Sequence, residues 1–500
     1  GFIALGSTDG RQWPVRLDGS LGFAGDPCLG PRGAWCAWQT WSGRVMPWDE
    51  SELRIARFAR PLADCNALHE ALPVSVTAFA RPGVHLAFPM AHPDGCRLIF
   101  TSDESGWRAP WELDLQAMRA RQIADTAGEV GSPNWVQRMT PMGIGQGGRR
   151  LYVVSRLDGL ARLMSIEVDT GTVRRIDSVL TSIQGFACLD GGVGGLDRIA
   201  CVGSSPCTPP VLVSREVGPS EAGPEIVRAT TEPGPWDPAA LCAVEVITWR
   251  ARDETEVWGI WTRARGRAAA PAIVMVHGGP TSASELGYEA TAQYFATRGW
   301  HVLSVNHRGS TQRGRAYQDM LNGHWGVVDV EDARSGAEAL IERGATERGR
   351  IAILGGSAGG YTALRALTVD ADFWAAGVVS YGIGDLYEAM LGSHRFERHY
   401  QETLVGPLPE AARLWRERSP LRDAREVKAP VLLFHGEQDR AVPCAQSAAF
   451  EQAVKAHGGH AELVVYADEG HGFRREANRR DYLQRTLAFL EKHVRDRQGR

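Results

Sequence analysis

The run from Ile351 to Tyr361, IAILGGSAGGY, limits the fold of this chain more tightly than any other stretch. Its apolar start, Ile351 to Leu354, reads as a buried strand. Gly355-Gly356-Ser357-Ala358-Gly359-Gly360 follows, and then an alanine- and leucine-rich helix from Tyr361 to about Val369. Strand, glycine-flanked serine and helix form the context of a G-x-S-x-G elbow. The turn is sharp and the serine backbone strained, so side chains beside it would clash where strand and helix approach. The elbow lifts the serine hydroxyl clear of the sheet, at a helix N-terminus whose dipole favours developing negative charge. The bland alternative is a glycine-rich turn with an incidental serine. The motif also occurs by chance, so its partners decide.

The sequence around the elbow alternates strands with helices. Val244 to Trp249 and Glu256 to Thr262 alternate like an antiparallel hairpin. Strands then read at Ile273 to Val276, Val302 to Val305, Ala375 to Tyr381, Val431 to Phe434 and Ala461 to Tyr466. Helices read at Glu285 to Arg298, Val328 to Glu342, Ala445 to Ala456 and Ala477 to about Asp496. A helical, aromatic and charged stretch fills the interval from Tyr381 to about Arg418. Apolar strands alternating with amphipathic helices predict a doubly wound, mostly parallel sheet.

In such a sheet functional residues lie in loops after the carboxyl ends of strands. Two later strand ends carry suitable chemistry: His435-Gly436-Glu437-Gln438-Asp439 and Asp468-Glu469-Gly470-His471-Gly472-Phe473. The order Ser357, Asp439, His471 is that of an α/β-hydrolase triad. His471 would take the proton from Ser357 and return it to the leaving group, with Asp439 holding the imidazole tautomer. His277, His307, His435 and His457 compete for the base, but His471 alone follows the last strand between glycines. Glu437 and Asp468 compete for the acid. Asp439 is preferred because its loop runs on through Val442-Pro443 into a helix. An oxyanion hole needs backbone N–H donors near the serine. Ala358 supplies one, and the His277-Gly278-Gly279-Pro280 loop the other, Gly279 ahead of Gly278.

From Gly1 to about Pro235 short β-rich runs are separated by Gly, Pro, Asp and Asn. A loose repeat shows through. Pro31-Arg32-Gly33 leads to Ala34 to Trp38 and then Glu52 to Ala56. His92-Pro93-Asp94-Gly95 leads to Arg97 to Phe100 and Trp111 to Leu115. Gly147-Gly148 leads to Leu151 to Val154 and Leu163 to Ile166. A weaker copy runs through Ile199 to Val202 and Val211 to Val213. Turn-and-strand units at roughly 45- to 60-residue spacing indicate propeller blades; a generic pair of β-sandwiches is the alternative. About four blades are expected, plus a fragment from Asp9-Gly10-Arg11 to Asp18-Gly19 that makes the region incomplete at its N-terminus. The Pro- and Gly-rich stretch ending Glu232-Pro233-Gly234-Pro235-Trp236-Asp237-Pro238 marks the boundary. The expected domains are a propeller at 1–235 and a catalytic domain at 236–500.

Composition narrows the function. A net charge of −4 gives no electrostatic case for nucleic acid or an anionic membrane. No apolar stretch reaches the roughly 18 residues of a membrane span. Nine scattered cysteines show neither C-x-x-C pairs nor zinc-ligand spacing, which favours reduced thiols in a cytoplasmic protein. Neither metal nor cofactor is expected.

Taken together, His277-Gly278-Gly279-Pro280, Asn306-His307-Arg308-Gly309-Ser310, Trp325-Gly326 with Asp329 and Asp332, GGSAGGY at 355–361, Ser419-Pro420, HGEQD at 435–439 and EGHGF at 469–473 resemble the prolyl oligopeptidase family of serine peptidases. The likeness is strongest to its acylaminoacyl-peptidase and dipeptidyl-aminopeptidase-like branch; Met46-Pro47-Trp48-Asp49 resembles that branch too. The resemblance implies a propeller capping an α/β-hydrolase domain, peptide substrates, an active site in the cavity between the two, and homo-oligomers as one state of assembly. Substrate groups should contact the region between Tyr381 and Arg418, while Arg308 is expected in a structural ion pair. Three features depart from the family. The propeller region is short, the hairpin near Asp253 lacks an Asp-Gly turn, and no pair of propeller glutamates is evident, which disfavours dipeptide release. The expected function is hydrolysis of short or N-acylated peptides through an acyl-enzyme at Ser357. An esterase or lipase with the same triad is one alternative. A catalytically silent propeller scaffold is another.

Overall fold

The computed structural model describes residues 2–7, 12–17, 19, 22–67, 70, 72–191, 195–218, 222–230 and 237–496. By backbone proximity the chain divides into two units. One is Gly1–Pro233 with Gln312–Ala316, and the other is Gly234–Thr311 with Tyr317–Arg500. The run at 231–236, where the boundary was expected, lies outside the described residues, as do Asp9, Gly10, Arg11 and Asp18 of the N-terminal fragment.

Among the described residues the first unit consists of β-strands joined by turns and short 3-10 segments. Four successive antiparallel sheets are built from strands within 23–80, 86–122, 129–176 and 182–230, and a small pair joins Ala4–Leu5 to Val15–Arg16. Three sheets have four strands. The third has five, because Met142–Gly145 also pairs with Arg150–Leu157. The strands run longer than the apolar patterns suggested: Trp35–Trp41, Arg97–Ser102, Arg150–Leu157 and Thr208–Val217. Alternation along each strand explains the stacking. Leu151 and Val153 pack with Ala87 and Ile99 of the preceding sheet. Their neighbours Tyr152 and Val154 point the other way, to Ile199, Cys201 and Val213 of the following sheet. Each inner sheet is thus apolar on both faces, the blade arrangement of a propeller.

The second unit holds one eight-stranded sheet. In spatial order its strands are Val244–Arg250, Glu256–Thr262, His301–Asn306, Ala272–Val276, Ile351–Gly356, Ala376–Ser380, Val431–Gly436 and Ala461–Tyr466. The first two form the expected hairpin and join the rest antiparallel; all remaining pairings are parallel. Helices cover both faces, so these strands are apolar without alternation. Val274, Leu303, Ile353 and Leu433 face one core, which also holds Ala333 and Leu340 of the helix Val328–Glu342, Leu364 and Leu367 of Ala358–Val369, and Phe450 of Ala445–Ala456. Ile273, Val302, Ala352 and Leu432 face the opposite core with Phe295 and Phe489.

Two helices differ from expectation. The helix expected from Glu285 spans only Ala290–Ala296, capped by the Glu289 carboxylate, which accepts the Thr291 N–H. The last begins at Glu476 and ends at Leu490, with a wider turn over Glu491–Arg495. The stretch up to Arg418 contains three short helices, Leu386–Gly392, Tyr400–Val405 and Ala412–Glu417. Among the described residues no helix is long and apolar enough to cross a membrane.

Arg308 makes the expected ion pair. Its guanidinium donates to fully buried Asp332 at 2.7 and 3.0 Å, to Glu331 at 2.9 Å and to Asp253 at 2.5 Å. The Arg308 N–H also donates to Asp332 at 2.6 Å. Burial works against the guanidinium charge, but these carboxylates outweigh it and raise the Arg308 pKa. Arg308→Met would strand Asp332 without its cation. Denaturant unfolding should show a loss of about 3–5 kcal/mol; a loss below about 1 kcal/mol would show that the pair is no brace of this core.

Candidate active site

Ser357 sits between the strand Ile351–Gly356 and the helix Ala358–Val369, with φ 57° and ψ −123°. A non-glycine residue at positive φ is strained, and the surroundings hold it there. Its N–H donates to the Ser380 carbonyl at 3.1 Å, and its own carbonyl accepts the Tyr361 N–H at 2.9 Å. The flanking glycines are needed for close approach. A Cβ on Gly355 would overlap the Gly359 carbonyl, and one on Gly359 would overlap the Val276 and His277 carbonyls.

His471 lies in the loop after Ala461–Tyr466, and Asp439 in the loop after Val431–Gly436. The Ser357 hydroxyl is 2.9 Å from His471 Nε2, and His471 Nδ1 is 2.7 Å from Asp439 Oδ2. Asp439 Oδ1 accepts the N–H groups of Ala441 and Val442 at 2.8 and 2.9 Å. Burial opposes charge on Asp439, but hydrogen bonds from His435, His471 and Val442 hold its carboxyl well below the usual carboxylate range. With Oδ2 ionised, Nδ1 of His471 carries the hydrogen and Nε2 is left to accept from the serine. The structure therefore brings the three residues singled out from the sequence into one hydrogen-bonded line.

The rival residues are engaged elsewhere. Buried His435 meets Ser447 Oγ at 2.8 Å and the Val442 carbonyl at 2.9 Å, with Nε2 3.5 Å from Asp439. It braces the acid loop from behind. Glu437 is exposed, Asp468 pairs with Arg475 and Asn478, and His457 meets the Ala453 carbonyl at a helix end. His277 and His307 are stacked, their ring centroids 4.7 Å apart. His277 Nε2 meets Ser310 Oγ at 2.8 Å and its Nδ1 the Gly278 carbonyl at 2.9 Å.

Gly278 lies against the elbow, where a Cβ would stand 3.4 Å from Ser357 Cβ. Gly279 has φ 122°, a conformation open to glycine. Among the described residues the N–H groups of Gly278, Gly279 and Ala358 have no backbone partner. Tyr381 was not foreseen. Its φ is 40°, and its ring lies 4.7 Å from that of His471 and 5.4 Å from that of Phe473. A tyrosine ending an apolar strand reads as core packing in sequence, and only the positive φ turns it toward the histidine. No group of three or more metal-binding side chains is assembled among the described residues.

Sheet order, strained serine turn and hydrogen-bonded Ser–His–Asp line define an α/β-hydrolase-fold protein. The sequence profile of the prolyl oligopeptidase family matches residues 286–497. Dipeptidyl aminopeptidase BIII of Pseudoxanthomonas mexicana is 35% identical over 228 residues, 45% of this chain and 33% of that protein. The acylamino-acid-releasing enzyme of Rattus norvegicus is 28% identical over 232 residues, 45% of this chain and 31% of that protein. The crystal structure of puromycin hydrolase superposes with a TM-score of 0.86 at 31% identity, covering 96% of this chain and 71% of that one. This chain belongs to the prolyl oligopeptidase family of serine peptidases. Its matches to the curated relatives span about a third of their length.

The paired histidines give the site a pH dependence. Burial and the neighbouring His307 lower His277 to about 3, and burial lowers His307 to about 4. Both are neutral in the folded state at pH 7, whereas the unfolded chain takes up protons near pH 6.5. Their neutral packing stabilises fully above that value, and the stabilisation is lost as pH falls toward about 4. The unfolding free energy should decline over this interval, and His307→Gln should remove about one proton from the slope. An unchanged slope in the variant would contradict a neutral, buried His307.

Proposed function

We propose that this chain is a serine peptidase that hydrolyses short peptides or N-acylated peptides through an acyl-enzyme at Ser357. The line from Ser357 through His471 to Asp439 carries this reading. In it, the serine hydroxyl attacks the scissile carbonyl as Nε2 of His471 takes its proton. The N–H groups of Ala358 and Gly279, with Gly278 behind them, receive the negative oxygen. The tetrahedral intermediate then breaks its C–N bond. The proton on Nε2 goes to the departing amine, leaving the acyl group on Ser357. Water, deprotonated by the same histidine, attacks the ester carbonyl; the C–O bond to Ser357 then breaks, the acid leaves and the proton on Nε2 returns to the serine oxygen. Asp439 stays ionised and stabilises the imidazolium in both halves. The chemistry needs no metal or cofactor.

The family relationship favours amide over ester substrates. The matched relatives are named for release of dipeptides, for release of acylated amino acids and for puromycin hydrolysis. A panel of an N-acetyl-aminoacyl p-nitroanilide, a free-amino dipeptidyl p-nitroanilide and a p-nitrophenyl ester tests the proposal. Amide hydrolysis should fall by at least about a thousandfold in Ser357→Ala. Ester cleavage alone would replace the peptidase with an esterase, and amide cleavage surviving in Ser357→Ala would remove the elbow from the chemistry.

A further inference from the structure

The strand Ala376–Ser380 ends beside the elbow, and the dipeptide Ser380-Tyr381 engages both the nucleophile and its base. The Ser380 carbonyl accepts the Ser357 N–H at 3.1 Å. Tyr381 then turns to φ 40°, a conformation that a bulky side chain adopts only under constraint. Its N–H donates to the Phe434 carbonyl of the neighbouring strand at 2.7 Å. A Cβ on Gly356 would stand 3.0 Å from the tyrosine ring carbon Cε2 and 3.3 Å from the hydroxyl oxygen. Gly356 thus leaves the space that the tyrosine ring fills.

The turn sets the Tyr381 ring against His471. The ring centroids are 4.7 Å apart and the planes are tilted by 54°. Phe473, two residues after the histidine, meets Tyr381 edge to face at 5.4 Å and also packs on Tyr466 at 5.0 Å and Tyr482 at 5.5 Å. The histidine loop is thus pinned to the tyrosine at both 471 and 473. Core packing alone would be met by any apolar side chain of similar volume in an unstrained conformation.

The chemistry supplies a reason for the aromatic ring. As Ser357 Oγ bonds to the scissile carbonyl, its proton passes to Nε2 and His471 becomes an imidazolium. The charge persists until Nε2 gives that proton to the departing amine, and it forms again when water attacks the ester. Asp439 meets the charge at Nδ1. The π-system of Tyr381 lies within the roughly 6 Å over which an aromatic ring attracts a cation. Burial and the charge of Asp439 push the Tyr381 hydroxyl up, so the ring stays a neutral phenol. From this we infer that Tyr381 is a positioning residue that fixes the His471 ring and stabilises its imidazolium, accelerating turnover through the base. The inference rests on Ser357 being the nucleophile and His471 its base.

Steady-state hydrolysis of p-nitrophenyl acetate and of the two p-nitroanilides above tests it. Tyr381→Leu should lower kcat by about threefold to thirtyfold and leave KM within about twofold. Tyr381→Phe, which keeps the ring, should recover most of the loss. Phenylalanine analogues with one, two and three ring fluorines, placed at position 381, keep the shape and progressively weaken the attraction for a cation. With them kcat should fall at each step. A kcat in Tyr381→Leu within about twofold of wild type, a loss carried by KM, a Tyr381→Phe enzyme as slow as Tyr381→Leu, or a flat fluorine series would overturn the assignment. If Tyr381→Leu does not fold, the fluorine series decides by itself. Ser357→Ala separates the two readings. If hydrolysis vanishes there and the fluorine series is flat, the nucleophile stands and the role of Tyr381 falls. If hydrolysis survives in Ser357→Ala, the nucleophile itself falls.

Discussion

The backbone of Ser357 is the constraint on which the rest of the catalytic unit depends. A serine at φ 57° and ψ −123° carries strain on the order of 1–3 kcal/mol. It persists because the sheet fixes both sides of the turn. The Ser380 carbonyl, on the neighbouring strand, takes the serine N–H, and the first turn of the following helix takes its carbonyl. The glycines at 355 and 359 let the strand, the helix and the backbone at Val276 and His277 meet without side chains between them. That same approach brings Gly278 against the elbow, where a Cβ would stand 3.4 Å from Ser357 Cβ. The turn that presents the Ser357 hydroxyl thus also builds its surroundings.

Around this turn charge is handled in two ways. Where charge is needed, it is satisfied completely. Asp439 is buried yet accepts two backbone N–H groups and His471, with His435 behind it. Arg308 and Asp332 do the same farther back. Where charge would be harmful it is suppressed, as in the neutral pair His277 and His307 under the glycine loop.

The parts legible in sequence were those where one residue type is forced. The elbow needs its glycines, a parallel sheet buried on both faces needs continuous apolar strands, and the order of the loops follows from the order of the strands. Ser357, Asp439 and His471 could be found from those rules. The four sheets of the first unit were visible through their turns, while strand lengths were underestimated because backbone pairing continues past the apolar residues, as in Trp35–Trp41. The helix expected from Glu285 is short because Gly287 interrupts it and Glu289 caps a later start. The turn of Tyr381 toward His471 could not be read. It depends on where the chain bends after a strand ends, and no periodicity records that. Nor does anything in the linear sequence mark residues 312–316 as part of the first unit.

The most direct test of the account is covalent labelling of folded protein with a fluorophosphonate, followed by mapping of the modified peptide. Phosphonylation requires a serine activated by a neighbouring base and stabilised at the new oxyanion. The account predicts one label per chain, on Ser357, and its loss in His471→Gln with the fold retained. A label on another residue, or none on a folded and soluble sample, would contradict the assignment of Ser357 as the nucleophile.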